Sequence, residues 1–173
     1  MKSEHSRSHP GLKPDHKGRR IEQIWALDSF WLEYDHEYIQ WLFPIDTPSR
    51  FHSHSPIACQ STQDYFCACE VLREAQLHSL GMMLDFFGMR FFGNSIVPKE
   101  DLNMQEHPWL KPMDHNHLRI TRIIRSLALL GQAELSQTFQ MAMLKTAREQ
   151  GDVNEETLGF WRQANLIKEV VSE

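Results

Sequence analysis

The residues best suited to chemistry lie between Glu33 and Gln40. Glu33, His36 and Gln40 follow one another at intervals of three and four residues, so on a helix they would lie along one line. A carboxylate beside an imidazole, which changes charge near neutral pH, could serve as an acid–base pair or bind a ligand. The alternative is a polar helix face that bonds to neighbouring helices, because the sequence places no nucleophile beside these side chains.

A second row of candidates is formed by Arg119, Arg122 and Arg125, which are spaced by three residues. A guanidinium group can donate two parallel hydrogen bonds to a carboxylate or phosphate, so this row could hold an anionic ligand. The alternative is ion pairing inside the protein with the acidic residues of segment 33–37. Asp35 in that segment would need such a partner if it were buried.

Metal and cofactor chemistry receives little support from the spacing of ligand residues. The pairs His52 with His54 and His115 with His117 resemble loop ligands of Zn²⁺, but no reliable third and fourth ligands accompany them. Surface histidines, no metal site and no cofactor are therefore predicted. The sequence also lacks a glycine-rich phosphate loop, a Gly-x-Ser-x-Gly elbow and a His-Glu-x-x-His motif. That absence lowers the expectation of the common enzyme classes without excluding catalysis.

The element that must position the first row is a helix predicted over residues 28–43. At about 100° per residue, its apolar side chains cover an arc of roughly 200°, which exceeds the stripe of a surface helix. We therefore predict a central, buried helix that is capped by Asp28 and ended by Pro44. The apolar side chains are Trp31, Leu32, Tyr34, Tyr38, Ile39, Trp41, Leu42 and Phe43.

The rest of the chain alternates helical patterns with short breaks, which indicates an all-α fold. We predict a single compact domain of about six helices packed around residues 28–43. The long segment 89–115 contains three prolines and is read as a functional or mobile loop in which a short strand pair is possible. The other predicted helices span 18–27, 61–87 with a possible break at 67–70, 117–130, 132–150 and a last stretch from 154.

Charge is distributed unevenly along the 173 residues, whose net charge is −5. Residues 1–20 hold six basic and two acidic side chains, a net +4, which leaves −9 for the remainder. The acidic remainder therefore argues against broad nucleic-acid binding, and weak contact of the basic arm and Arg125 with a phosphate backbone is a third hypothesis. The predicted organisation is a disordered basic arm over 1–17, a helical domain over 18–167 and a tail over 168–173.

Cysteine content and hydropathy bear on the cellular compartment. No apolar run approaches the roughly 18 residues that span a bilayer, and the polar start is not a secretory signal. The three cysteines form neither a disulfide framework nor a Cys-x-x-Cys zinc pattern, so a cytoplasmic location is predicted. No feature indicates an oligomeric state.

Three blocks of the sequence form distinctive motifs. They are Glu33, His36 and Tyr38 to Pro44 (Tyr-Ile-Gln-Trp-Leu-Phe-Pro); Leu80 to Gly88; and Asn116 to Leu127. The blocks resemble the conserved region of the opioid growth factor receptor family, in which the second block has a tyrosine in place of Phe87 and the third reads Asn-x-Leu-Arg-Ile-Thr-Arg-Ile-Leu. They occur in the family's order, and the resemblance extends over roughly residues 21–165.

The resemblance implies a receptor-type binding role, and it transfers no catalytic residues. The eukaryotic receptor that this region resembles binds an enkephalin peptide, restrains proliferation and is associated with the nucleus and its membrane. That receptor carries long extensions with repeats, whereas this sequence is similar to short, single-domain members from bacteria and fungi. Membrane association is thus implied only by analogy.

These observations predict a binding module with one ligand groove. The groove is expected where the face formed by Glu33, His36 and Gln40 meets the face formed by Arg119 and Arg122, and segment 89–115 is expected to cover it. A carboxylate- or phosphate-bearing ligand, such as the end of a peptide, would suit the arginines. The alternative is an enzyme in which His36, oriented by Glu33, acts as general base on an arginine-anchored substrate. The predicted ligand-binding residues are Glu33, His36, Gln40, Trp41, Asn116, Arg119 and Arg122.

Overall fold

The computed structural model describes residues 13–49 and 55–167 of the chain. Within these ranges the secondary structure is mainly helical, with one small sheet and one 3-10 turn, so the predicted helical class is confirmed. The predictions for residues 1–12, for His52 and His54, and for the tail lie outside the described residues. The helices are α1 (Ile21–Trp25), α2 (Ser29–Tyr34), α3 (Ile39–Leu42), α4 (Gln60–Ala68), α5 (Glu70–Phe86), α6 (Asn116–Leu129), α7 (Ala133–Gln150) and α8 (Glu155–Gln163).

The helix predicted over 28–43 is broken into α2 and α3, so the prediction of one central rod is wrong. Asp28 does cap α2, because its carboxylate accepts the backbone N–H of Trp31 at 3.0 Å. The chain then leaves helical geometry at Asp35, whose ψ is 117° and whose carboxylate accepts the N–H of Glu37 at 2.8 Å. Such a local side-chain bond offers the backbone an alternative to helix, and here it prevails.

The break determines which aromatic side chains enter the core. Tyr38 and Phe43 are fully buried as predicted, and both lie beyond the break. Trp31 is 50% exposed and Tyr34 68% exposed, contrary to the prediction. The aromatic side chains of α2 contact one another instead, with the rings of Phe30 and Tyr34 stacked at 5.9 Å. Helix α2 therefore buries only Leu32.

Residues 13–17, predicted as part of a disordered arm, are folded against this break. Asp15 is buried, and its carboxylate binds the guanidinium of Arg19 at 2.8 Å. Arg19 also binds Asp35 at 2.5 Å, and Lys17 binds Glu37 at 2.6 Å. The acidic side chains at the break thus attract the basic segment, and the ordered domain begins before residue 18.

The core closes around α6, whose predicted apolar stripe is confirmed. Ile120, Ile123, Ile124 and Leu127 are each 0% exposed. Burying a side chain of this size stabilises the fold by about 1.5–3 kcal/mol. No helix in the described ranges is both long and apolar enough to cross a membrane.

Segment 89–115 is more ordered than predicted. Strands β1 (Met89–Phe92) and β2 (Ser95–Pro98) pair in antiparallel register, and Gly93 between them has a φ of 60° that favours glycine. A 3-10 turn, Pro108–Leu110, then buries Trp109, whose indole N–H donates to the backbone oxygen of Phe87 at 2.8 Å. This anchor fixes the chain that leads into α6.

Candidate functional site

Arg119 is 4% exposed, and its guanidinium binds the end of α2. Nη1 donates to the backbone oxygen of Leu32 at 2.6 Å and to the hydroxyl of Tyr38 at 3.2 Å. Nη2 donates to the backbone oxygens of Glu33 at 3.3 Å and Asp35 at 3.0 Å. Because the last carbonyls of a helix lack partners within it, Arg119 satisfies them and holds the break in place.

Arg122, one turn later, makes only one hydrogen bond within the described residues. Its Nη1 donates to the backbone oxygen of Phe43 at 3.1 Å. No carboxylate in those ranges pairs with it, and burial lowers the pKa of Arg122 from 12.5 to about 10. Its surroundings thus disfavour the charged form by about 3 kcal/mol. Partly buried charged groups with a shifted pKa and no counter-ion, such as the Arg122 guanidinium, are often found in ligand sites.

A cavity of about 290 Å³ lies between α3 and α6, and both arginines line it. The structure therefore brings together four of the predicted site residues, although His36 lies in the break and Gln40 in α3 rather than on one continuous helix. The full lining is His36, Ile39, Gln40, Ser49, His115, Leu118, Arg119 and Arg122.

Gln40, a residue of the cavity lining, has an unsatisfied acceptor. The residue is 8% exposed, and its Oε1 is buried without a hydrogen-bond donor within the described part of the chain. A buried carbonyl oxygen without a donor costs about 1–3 kcal/mol.

Glu33 contacts two residues at the start of α6. Its Oε1 lies 2.8 Å from Nε2 of His115, and its Oε2 accepts a hydrogen bond from Nδ2 of Asn116 at 3.1 Å. His36 is exposed, and its Nδ1 lies 3.4 Å from Nη2 of Arg119. The imidazole of His115, predicted to be that of an ordinary surface histidine, thus faces the Glu33 carboxylate.

The remaining predicted residues play other parts. Asn116 is buried outside the cavity lining, and its Oδ1 accepts a hydrogen bond from Arg119 at 3.1 Å. Trp41 packs against the core outside the cavity. His117 is also buried, and its Nε2 lies 2.7 Å from the backbone oxygen of Trp109. Of the expected roof over 89–115, only His115 reaches the cavity.

Arg125 belongs to an ion pair and not to the cavity. Its Nε and Nη2 donate to the two carboxylate oxygens of Asp46 at 2.8 and 2.6 Å. The hydrogen bond from Arg125 lowers the pKa of the Asp46 carboxyl. Ion pairing, the alternative considered for the arginine row, thus holds for this member, with a partner outside segment 33–37.

A separate reactive group is Cys59, an exposed free thiol that precedes α4. Its Sγ lies 3.1 Å from the hydroxyl of Ser61 and 3.4 Å from that of Thr62. These hydrogen bonds lower the pKa of Cys59 to about 7. About half of the thiol should therefore be ionised at pH 7, against a few per cent for an ordinary cysteine.

At pH 7 we expect iodoacetamide to alkylate Cys59 about threefold faster than the exposed Cys67, because lower thiolate basicity offsets part of the gain in ionisation. The rate at Cys59 should rise with pH around a midpoint of about 7. Timed alkylation followed by peptide mass spectrometry measures both rates. Ser61→Ala should move the midpoint upward, and equal rates at Cys59 and Cys67 would contradict the prediction.

The comparison with known proteins agrees with the sequence blocks. The family model described as the opioid growth factor receptor conserved region matches residues 11–170. The chain belongs to this family. Opioid growth factor receptor-like protein 1 of Rattus norvegicus is 35% identical over 124 residues, which is 69% of this chain and 26% of that protein. The opioid growth factor receptor of Homo sapiens is 30% identical over 146 residues, 83% of this chain and 21% of that protein.

The match to the opioid growth factor receptor conserved region contains every residue that lines the cavity. The chain nevertheless spans only about a fifth to a quarter of the length of these relatives. No solved structure matches the chain. Family membership therefore rests on sequence, and the chemistry of the cavity must be argued from its own residues.

Proposed function

We propose that the chain is a binding module whose cavity between α3 and α6 holds the anionic group of a peptide or small-molecule ligand. The observation that carries this proposal is Arg122, a half-buried guanidinium without a carboxylate partner in the described ranges. A carboxylate or phosphate supplies the missing counter-charge and can accept two parallel hydrogen bonds. The names of the relatives describe receptors, which agrees with a binding role.

The size of the cavity limits what it holds. A volume of about 290 Å³ is at the lower end of ligand pockets. It suits one charged group and the atoms next to it, with the rest of the ligand lying outside. The end of a peptide meets this requirement, because its terminal carboxylate can enter the cavity while the rest of the chain stays outside.

The two other hypotheses have less support. The hypothesis of an enzyme based on His36 and Glu33 is weakened, because Oε1 of Glu33 lies 2.8 Å from Nε2 of His115. Nucleic-acid binding by the basic head is disfavoured, because two of its cations, Lys17 and Arg19, are engaged by carboxylates. We also propose a cytoplasmic location, because the three cysteines form no disulfide framework in the sequence.

The test compares thermal stability in the presence of small anions. N-acetyl amino acids, their amides and inorganic phosphate are added to the wild type and to Arg122→Gln. Arg148→Gln, which removes one positive charge from an exposed position on α7, is the matched control. We expect the carboxylates to raise Tm in the wild type and in the control but not in Arg122→Gln, and the amides to have no effect.

An equal rise in all three proteins would show that the anions act elsewhere and would overturn the proposal. A rise with phosphate alone, lost in Arg122→Gln, would keep the anion site but exclude the peptide carboxylate.

A further inference from the structure

Three potential metal ligands converge beside the cavity, at the start of α6. Glu33, Asp114 and His115 each offer a ligand atom, and these atoms all lie within 4.8 Å of one another. The imidazole of His115 lies between the two carboxylates. Its Nε2 is 2.8 Å from Oε1 of Glu33, and its Nδ1 is 3.6 Å from Oδ1 of Asp114.

We propose that these three residues bind one divalent transition-metal ion, for which Zn²⁺ is the best match. An imidazole nitrogen favours Zn²⁺ over Mg²⁺ and Ca²⁺, whereas carboxylates alone would not. Three protein ligands with a fourth position left open are typical of zinc sites that act on a bound water or ligand. Donor atoms around tetrahedral zinc lie about 3.3 Å apart, so the side chains must rotate until one nitrogen of His115 and one oxygen of each carboxylate face the same ion.

Asn116 already holds both carboxylates in a suitable arrangement. Its Nδ2 donates to Oε2 of Glu33 at 3.1 Å, and its backbone N–H donates to Oδ2 of Asp114 at 3.2 Å. The oxygen atoms nearest His115 are the other two, which Asn116 does not bind. Partners that orient metal ligands in this way raise metal affinity. Asn116 is itself 1% exposed, so the arrangement is held from within the fold.

His115 also lines the cavity between α3 and α6, so a water molecule or a ligand can approach the open fourth position from that side. This inference does not depend on an anion bound to Arg122.

Spacing along the chain could not reveal this site. The sequence predicted no metal because it offered only pairs of histidines at intervals of two residues. The third ligand, Glu33, belongs to α2, and it reaches His115 because Arg119 and Asn116 hold the end of α2 against α6.

The test is calorimetric titration of the 173-residue chain with Zn²⁺. The chain has ten histidines and three cysteines, so the variants must be compared by the number of ions bound. Glu33→Gln, Asp114→Asn and His115→Gln are expected to bind one ion fewer than the wild type, or to bind it at least tenfold more weakly. Their folding is checked by circular dichroism. His78→Gln and Asp64→Asn, exposed positions outside the cluster, are the matched controls and should titrate like the wild type.

Cobalt gives a second readout. Co²⁺ in this site should show visible bands without thiolate charge transfer, and the bands should disappear in His115→Gln. Arg122→Gln should retain the ion, so loss of anion binding and loss of the metal site can be told apart. Equal stoichiometry and affinity for Zn²⁺ in the wild type and in all three ligand variants would overturn the proposal.

Discussion

Replacement of Arg119 by methionine is expected to lower the free energy of unfolding by about 3–5 kcal/mol. The guanidinium satisfies the backbone oxygens of Leu32, Glu33 and Asp35, and the change would leave them without that donor. Methionine fills much of the volume of arginine. The decrease in the free energy of unfolding would therefore come mainly from lost hydrogen bonds and not from a cavity. Urea unfolding followed by circular dichroism measures the difference.

The matched control is Arg122→Met, one turn further along α6. Its single hydrogen bond and the cost of its burial offset each other, so stability should stay within about 1 kcal/mol of the wild type. Arg119→Lys should recover only part of the loss, because an ammonium group cannot reproduce the planar fork. If Arg119→Met unfolds at the same urea concentration as Arg122→Met, then the hydrogen bonds of Arg119 do not hold the break between α2 and α3 in place.

Trp161→Ala is expected to destabilise the protein by about 3–5 kcal/mol. The indole is 0% exposed, and its N–H donates to the backbone oxygen of His117 at 3.2 Å. Its ring centroid lies 6.3 Å from that of Trp109. The substitution therefore removes a large buried volume and the contact that holds α8 against the first turn of α6.

Phe160→Ala, at the adjacent position, provides the control. Phe160 is 55% exposed, so its loss should change stability by less than about 1 kcal/mol. Equal unfolding midpoints in urea for the two variants would mean that α8 does not support α6.

The parts of the fold that sequence reasoning found are those set by local periodicity. Ile120, Ile123, Ile124 and Leu127 repeat at helical spacing, and nothing in α6 competes with that pattern. The break at Asp35 was missed because the side-chain bond to Glu37 and the ion pair with Arg19 oppose an equally good helical pattern. Tertiary contacts decided between the two.

Local helical periodicity also predicted part of the lining of the candidate site. The arginine spacing correctly placed Arg119 and Arg122 on one side of α6, facing the polar residues of segment 33–40. Their different roles depend on which carbonyls and carboxylates surround each guanidinium, and no spacing rule contains that information. His115 was missed because its partner, Glu33, lies far away in the chain and reaches it only after α2 docks.

The clamp formed by Asp15, Lys17 and Arg19 has a practical consequence for work with shortened forms of the protein. A recombinant fragment that starts at Ile21, the first residue of α1, would lack the cations that neutralise Asp35 and Glu37. The two carboxylates would then repel each other across the same turn that carries His36. Expression boundaries for crystallisation or NMR should therefore retain the chain from residue 13 onward, and a protease cut within 13–20 should loosen the cavity from a distance.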